Sequence, residues 1–426
     1  MADPSVILRC VVSVKDVRVL GYFRDGPVQA IVIEQSLSGV VCPACGGPAR
    51  VKDRPRVMLV DLPVYGRPMR LVWRKHRFTC PDLSCEQMSW TSTDRRIASS
   101  RCRMTTRAGK WATEQVGKGR TVSEVARELG CDWHTVNDTV MFYGSALLEA
   151  DRKRVNVTGA VGLDETSFVR LAHRRTQYVT TVCDVEHHQI IDIVPSRTYV
   201  DVATYLHAQP QAWKDHIRYA TLDMSPTYRA VYTVVLPKAT QIADHFHVIM
   251  LANRALDEVR RRVQQETLSH RGRKHDPLYQ IRKTLTRAQE TLNQDTSERL
   301  AHLLALGDPN GEVAIAYRIK EQLRVFYRLN NSDQAYRELD TLIDTCQARP
   351  MPPEIKRLGR TLNQWRSQIM AYHKAHLTNS ITETMNNLIK RTKRIGYGFT
   401  NFTNYRIRVL LYAGKPNWRI LNTIYP

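Results

Sequence analysis

The chain has 426 residues, a formal net charge of +22 and a pI near 9.8. Such a length buries a substantial core in two to four domains and excludes a disordered tail protein, while the charge demands a polyanionic partner, nucleic acid or a membrane surface. No apolar run approaches the roughly 18 residues of a spanning helix, and Met1-Ala-Asp-Pro opens no signal peptide, so the expected partner is nucleic acid, with no membrane and a cytoplasmic location.

Nine cysteines in a reducing compartment suggest metal binding before disulfides. Cys42-Pro43-Ala44-Cys45-Gly46-Gly47 is a knuckle whose tight turn brings two thiolates onto one ion, and Cys80 and Cys85 close a tetrahedral set. One structural Zn²⁺ is therefore expected in a module over 1–98. Cys10, Cys102, Cys131, Cys183 and Cys346 are scattered and read as buried small hydrophobes. Between the pairs, Arg67, Arg70, Arg74, Lys75, His76 and Arg77 interleave with Leu71, Val72 and Trp73. That pattern is a short basic ribbon, touching phosphates or forming a solvated charged face.

A helix-turn-helix is predicted within 99–150. Thr121-Val122-Ser123-Glu124 is a capping box opening a helix over 122–129, Gly130-Cys131-Asp132 is the turn, and 133–141 is a second amphipathic helix. Val125, Ala126 and Leu129 would face Val136 and Val140. In this motif the second helix enters the major groove, which directs His134, Thr135 and Asn137 toward base edges.

From Gly159 the texture changes to short strands. The predicted strands are 160–163, ending in Asp164-Glu165; 178–184; 190–194; 217–222, ending in Asp223; and 240–243, leading through Asp244-His245-Phe246-His247 into a helix to about 265. A helix over 199–206 separates the third and fourth strands. Three antiparallel strands, a helix, a strand, a helix and a strand is the element order of an RNase H-like domain, in which strands one and four are neighbours. Asp164 and Asp223 would then converge, and two carboxylates so close repel unless a cation lies between them. Each aspartate alone would read as a turn residue or cap. Asp184 and Asp192 flank a hairpin, and Asp244 pairs as an accessory residue with His247.

The catalytic core is thus read as α/β, with its first part over 151–265. A charged helical insertion follows over 266–365, broken at 307–311 and 349–353. Trp365 reads as a core residue, or as a stacking platform for a displaced base. The core's second part, with a basic tail, occupies 366–426. The last 72 residues hold 13 Lys and Arg and one acidic residue, Glu383. Ser380-Ile381-Thr382-Glu383 fits a capping box, so Glu383 is either a cap or a third metal ligand.

The run Asn379-Ser380-Ile381-Thr382-Glu383-Thr384-Met385-Asn386-Asn387-Leu388-Ile389-Lys390, followed by Arg394-Ile395-Gly396-Tyr397-Gly398-Phe399-Thr400-Asn401-Phe402 and Tyr405-Arg406, resembles the C-terminal signature of bacterial insertion-sequence DDE transposases. Gly162-Leu163-Asp164-Glu165, Leu222-Asp223-Met224-Ser225 and Asp244-His245-Phe246-His247-Val248 resemble the same family's catalytic blocks, in the same order. The resemblance is to the branch with an N-terminal four-cysteine zinc finger and a helix-turn-helix, and it spans nearly the whole chain.

The resemblance implies that Asp164, Asp223 and Glu383 are a DDE triad holding two Mg²⁺ (or Mn²⁺) for DNA strand cleavage and transfer. Lys390, two helical turns beyond Glu383, would hold a phosphate. Asn386 and Asn387 would contact DNA or order the carboxylate, and Lys393, Arg394, Arg406 and Arg408 would clamp the DNA backbone. Asn379 stands where some relatives carry an Arg. The expected partners are transposon ends and target DNA, with a homodimer or higher assembly at the nucleoid. The alternatives are a DNA-binding regulator derived from a transposase and a structure-selective nuclease of the same fold.

Overall fold

The computed structural model describes residues 4–155, 157–170 and 176–426. Its elements run α1 (Pro4–Val12), β1 (Val17–Asp25), β2 (Val28–Gln35), β3 (Arg50–Asp53), β4 (Arg56–Val64), β5 (Arg67–Arg74), β6 (Arg77–Thr79) and β7 (Ser89–Thr91). The helices α2 (Thr106–Gly117), α3 (Val122–Leu129) and α4 (Trp133–Ala150) follow. Next come β8 (Ala160–Arg170), β9 (Thr176–Asp184), β10 (Gln189–Val194), α5 (Tyr199–His207), α6 (Gln211–His216), β11 (Tyr219–Leu222), α7 (Pro226–Val235), β12 (Thr240–Ala243) and α8 (His245–Leu268). The chain closes with α9 (Pro277–Gln280), α10 (Gln294–Gly307), α11 (Glu312–Phe326), α12 (Ser332–Gln347), α13 (Pro353–Gln364), α14 (Arg366–Ala375), α15 (Ser380–Ile395), α16 (Phe402–Ala413) and α17 (Trp418–Thr423). No helix among the described residues is long and apolar enough to cross a membrane. There are two compact units: Met1–Asn156 with Ile190–Asp192 and Asn387–Pro426, and Val157–Gln189 with Ile193–Asn386.

In the first unit a sheet of order β1-β2-β5-β4 buries Ile31, Ile33, Leu59, Leu71 and Trp73. Its β4–β5 hairpin turns at Tyr65 and Gly66, both at positive φ, the backbone signature of a two-residue primed turn. The basic ribbon read from sequence is centred on β5, an inner strand, and Arg70, Arg74 and His76 in it are already engaged within the protein. Glu34, nearly buried, gathers Arg18, Arg54, Arg74 and His76 within 3.2–3.8 Å. Arg70 Nη1 donates to the Leu129 carbonyl at 3.1 Å, satisfying an orphan acceptor at the C-terminus of α3. A smaller sheet, β3-β6-β7, carries the cysteine knuckles on its loops.

The helix-turn-helix forms as its caps dictate. Thr121 and Glu124 complete the capping box, and Gly130 ends α3 at φ +60°. Sequence ends the second helix at 141, whereas α4 continues to Ala150. Its extension is buried by the chain's far end: Ile407, Leu411 and Leu421 join Val136, Val140, Tyr143 and Leu147 in one apolar cluster. Residues 402–426, read from sequence as core and tail, thus complete the helix-turn-helix core.

The second unit holds a sheet of order β10-β9-β8-β11-β12, the 3-2-1-4-5 arrangement of an RNase H-like domain. β8, β11 and β12 are parallel, with Leu163, Leu222 and Ala243 in register. Sequence stops the first strand at Leu163, but β8 runs to Arg170 because its antiparallel pairing with β9 outlasts its parallel pairing with β11. The helical insertion is fastened to α8 by Arg262, whose guanidinium meets Glu354 at 2.8 Å and Glu312 at 2.5 Å. Trp365 is 3% exposed with Arg229 over its ring, a core residue and not a platform.

Candidate active site

Register places the carboxylates. Asp164 and Asp223 each follow the last residues of the parallel β8–β11 pairing, and Asp244 follows the matching residue of β12, so three aspartates line the edge where the parallel pairing of three neighbouring strands ends. The carboxyl edge of such a sheet is where α/β folds bind ligands. Burial, and then the charge of Asp164 beside it, pushes the Asp223 carboxyl up to about 7. Burial raises Asp164 as well. Asp223 Oδ1 is buried with no hydrogen-bond partner among the described residues. An acceptor so placed costs free energy unless something satisfies it. A divalent cation fits that donor set: hard oxygen ligands, like charges and an unspent lone pair.

Asp244 is of a different kind. Burial opposes its charge, but His245, His247 and the Asn379 amide hold it well below the usual carboxylate range. His247 Nδ1 lies 3.0 Å from Asp244 Oδ2, and that contact raises the His247 pKa. Asp244 also takes the Asn379 amide at 3.2 Å, fixing the start of α15. The pairing with His247 is the one legible in sequence; the anchoring of α15 is not. Glu165, beside Asp164, pairs with Arg197 at 2.8 Å.

Helix α15 lies against β8 because position 162 is glycine. A Cβ there would meet Thr382 Oγ1 at 2.5 Å, Thr221 Oγ1 at 2.9 Å and Asn379 Oδ1 at 3.0 Å. Asn379 Oδ1 accepts from Thr221 Oγ1 at 2.9 Å, so Asn379 is a buried tether. One turn past Thr382, Asn386 Nδ2 donates to Asp164 Oδ2 at 2.6 Å, while its Oδ1 accepts from Thr166 at 2.6 Å and Thr181 at 3.0 Å. Asn386 is 4% exposed. Of the two roles expected of it, these bonds match the ordering of Asp164, since its oxygen and one amide hydrogen are held inside the domain.

Glu383 is exposed on the first turn of α15. The capping-box reading fails on register: α15 begins at Ser380, and the Glu383 amide bonds to the Asn379 carbonyl at 3.1 Å. Glu383 is therefore one position too late to reach back as the box requires. Its carboxylate is free among the described residues. Nor do Asp164, Asp223 and Glu383 form a set whose ligand atoms all lie within 4.8 Å of one another; among the described residues only the four cysteines do.

In the first unit, Cys42 Sγ lies 3.7 Å from Cys85 Sγ and Cys45 Sγ 3.6 Å from Cys80 Sγ. Those separations match the edge of about 3.8 Å of a tetrahedron with metal–sulfur bonds of roughly 2.3 Å. Although burial works against it, the amides of Cys45 and Ala44 hold the Cys42 thiol down at about 7, favouring the ligating thiolate.

The remaining candidates divide. Thr135 is buried, its hydroxyl donating to Asp132 Oδ2 at 2.6 Å as part of the α4 cap, and Asn137 is 7% exposed. Neither presents to a groove, because α4 turns that face inward. His134 is exposed, lining a hollow with Arg101 and Arg103. Arg406 makes a two-point ion pair with Asp192, 2.6 Å at each nitrogen, and so is no open clamp. Arg408 is 5% exposed, also not an open clamp. Lys390, Lys393 and Arg394 line a shallow hollow with Tyr397, and Asn387 is exposed.

Fold and domain order together are those of a DDE-type transposase with its own DNA-binding helices. A family model described as a transposase matches residues 161–409; others, described as the helix-turn-helix domain of transposase family ISL3 and the zinc-finger of transposase IS204/IS1001/IS1096/IS1165, match 96–142 and 38–85. The chain belongs to the ISL3 family of transposases. It is similar to the transposase for insertion sequence element IS1001 of Bordetella parapertussis, 23% identical over 395 residues that cover 90% of this chain and 91% of that one. It is also similar to the transposase for insertion sequence element IS1557 of Mycobacterium tuberculosis, 27% identical over 259 residues, 56% of each chain.

Proposed function

We propose that the protein binds the terminal inverted repeats of its insertion sequence and catalyses metal-dependent DNA cleavage and strand transfer, with Asp164, Asp223 and Glu383 as the metal-holding triad. The observation that carries this reading is the pair of register-matched, mutually repelling aspartates, one with a buried oxygen that no protein donor satisfies. Two Mg²⁺ (or Mn²⁺), when bound, supply activation of the attacking water or 3′-hydroxyl and stabilise the leaving 3′-oxygen. The chain's own residues prepare that site. Asn386 fixes the Asp164 carboxylate, the Asp244–His247 pair and Asn379 fix the start of α15, and that helix carries Glu383. Lys390 steadies a phosphate of the bound strand, and His134, Asn387, Lys393 and Arg394 contact DNA.

The cysteine cluster holds one structural Zn²⁺, stabilising the small β3-β6-β7 sheet, whose core is too small to stand alone. Synapsis of two ends implies a homodimer or higher assembly on DNA.

The test is a cleavage and joining assay on duplexes carrying the element's ends, with and without Mg²⁺. D223N is expected to abolish cleavage and joining while still shifting end-containing DNA on a gel. Full strand transfer by D223N would refute the triad.

A further inference from the structure

Arg408, on α16, is an anomaly. It is 5% exposed, yet among the described residues no carboxylate and no hydrogen-bond acceptor pairs with it; the Phe399 ring lies 5.8 Å from the guanidinium carbon. A guanidinium offers five donors, and burying it uncompensated is strongly unfavourable. Burial alone lowers its pKa to about 10. The group faces a cavity of about 150 Å³ within the first unit. None of the residues lining that cavity is acidic; Thr121, Ser123, Asn137, Thr400 and Asn404 supply its polar wall.

Two further features give the cavity a sign. Val122 and Ser123, in the first turn of α3, line it, and their amides belong to the set that has no partner inside a helix. A helix N-terminus attracts anions through those amides and the helix dipole. The loop that roofs the cavity is built to pack there: Gly396 leaves room for the Phe399 ring, which a Cβ would meet at 2.6 Å. Next to it, Lys390, Lys393 and Arg394 surround Tyr397, which is 94% exposed at positive φ.

We infer that this cavity is a phosphate site, in which Arg408, the first turn of α3 and the 396–401 loop together grip one phosphodiester of the DNA backbone. DNA is the source favoured because the cavity opens on the first helix of the helix-turn-helix, the one that crosses the backbone in this motif. The cavity has space for one phosphate and a few waters of roughly 30 Å³ each. The inference rests on the DNA-binding reading of the helix-turn-helix, and it gives Asn137 and Arg408 a shared, buried role in place of separate surface contacts.

The test uses the full zinc-loaded chain. Wild-type protein is melted in inorganic phosphate and in chloride at matched ionic strength, and its duplex-DNA affinity is measured by anisotropy across a salt series, beside R408M and R408K. Phosphate is expected to raise the wild-type Tm over chloride and to leave R408M unmoved. R408M should melt no lower than wild type in chloride, since the charge it removes is unpaired. It should bind DNA about 10- to 100-fold more weakly at low salt, irrespective of sequence, with a salt slope smaller by about one. R408K should keep part of both effects. An R408M that melts lower and keeps the wild-type slope would make Arg408 a structural cation and overturn the inference. Absence of any phosphate-specific shift in wild type overturns it without any variant. A phosphate shift in a protein that binds no DNA would instead sink the DNA-binding reading and leave the anion site standing.

Discussion

At the scale of single residues, the site depends on side chains that touch no substrate. Asn386 joins Asp164 to two threonine hydroxyls, so N386L leaves a carboxylate and two buried hydroxyls without their partner. The expected cost is about 1–3 kcal/mol of stability, read by thermal melting, with cleavage falling at least tenfold. Asp223 predicts a pH dependence. Folding moves it from its ordinary 3.8 to about 7, so between those values the folded state holds a proton that the unfolded chain has released. Stability without added divalent cation should therefore fall as pH rises from about 4 to 7, and D223N or Mg²⁺ should flatten that decline. Asp244 works in the opposite sense and only at lower pH, its depressed pKa contributing stability that is lost on acidification.

At the scale of elements, the distance between β8 and α15 is set by an absent side chain. G162A should force α15 away from the sheet, because the added carbon would sit 2.5 Å from Thr382 Oγ1. Overpacking of this kind costs typically 1–3 kcal/mol, and Mg²⁺-dependent cleavage should fall with it. Adding T382A should restore part of the activity, which a glycine needed only for backbone flexibility would not allow. Strand existence and strand order were legible in the sequence here, since alternation and terminal aspartates survive as local signals. The length of β8 was not, because its extension past Asp164 depends on β9, whose pairing no local pattern encodes. The six-residue helix α6, just ahead of β11, likewise left no periodic trace.

At the scale of the whole molecule, the +22 charge predicts steeply salt-dependent DNA binding. Some of the cations are nonetheless already paired: Arg70, Arg74, Arg262 and Arg406 hold protein groups. The measured salt slope should accordingly be well below what the total charge suggests. Zinc should matter for architecture. C45S is expected to lose its stoichiometric zinc by atomic emission and to expose 36–92 to protease, with the region from α8 to α14 still protected.

The sequence by itself determined the cysteine knuckles, the helix-turn-helix and the strands that carry the two aspartates, because each is written in residues close together, where spacing and chemistry are enough. It left Glu383 suspended between cap and ligand, and took Arg406 and Arg408 for clamps on the DNA backbone without showing what surrounds either. Tertiary structure decided these: Glu383 misses the capping register, Arg406 meets Asp192 over 200 residues away, and Arg408 is buried by α16 docking into the helix-turn-helix core. A charged residue's role turns on what faces it, and its partner's distance along the chain carries no local signal.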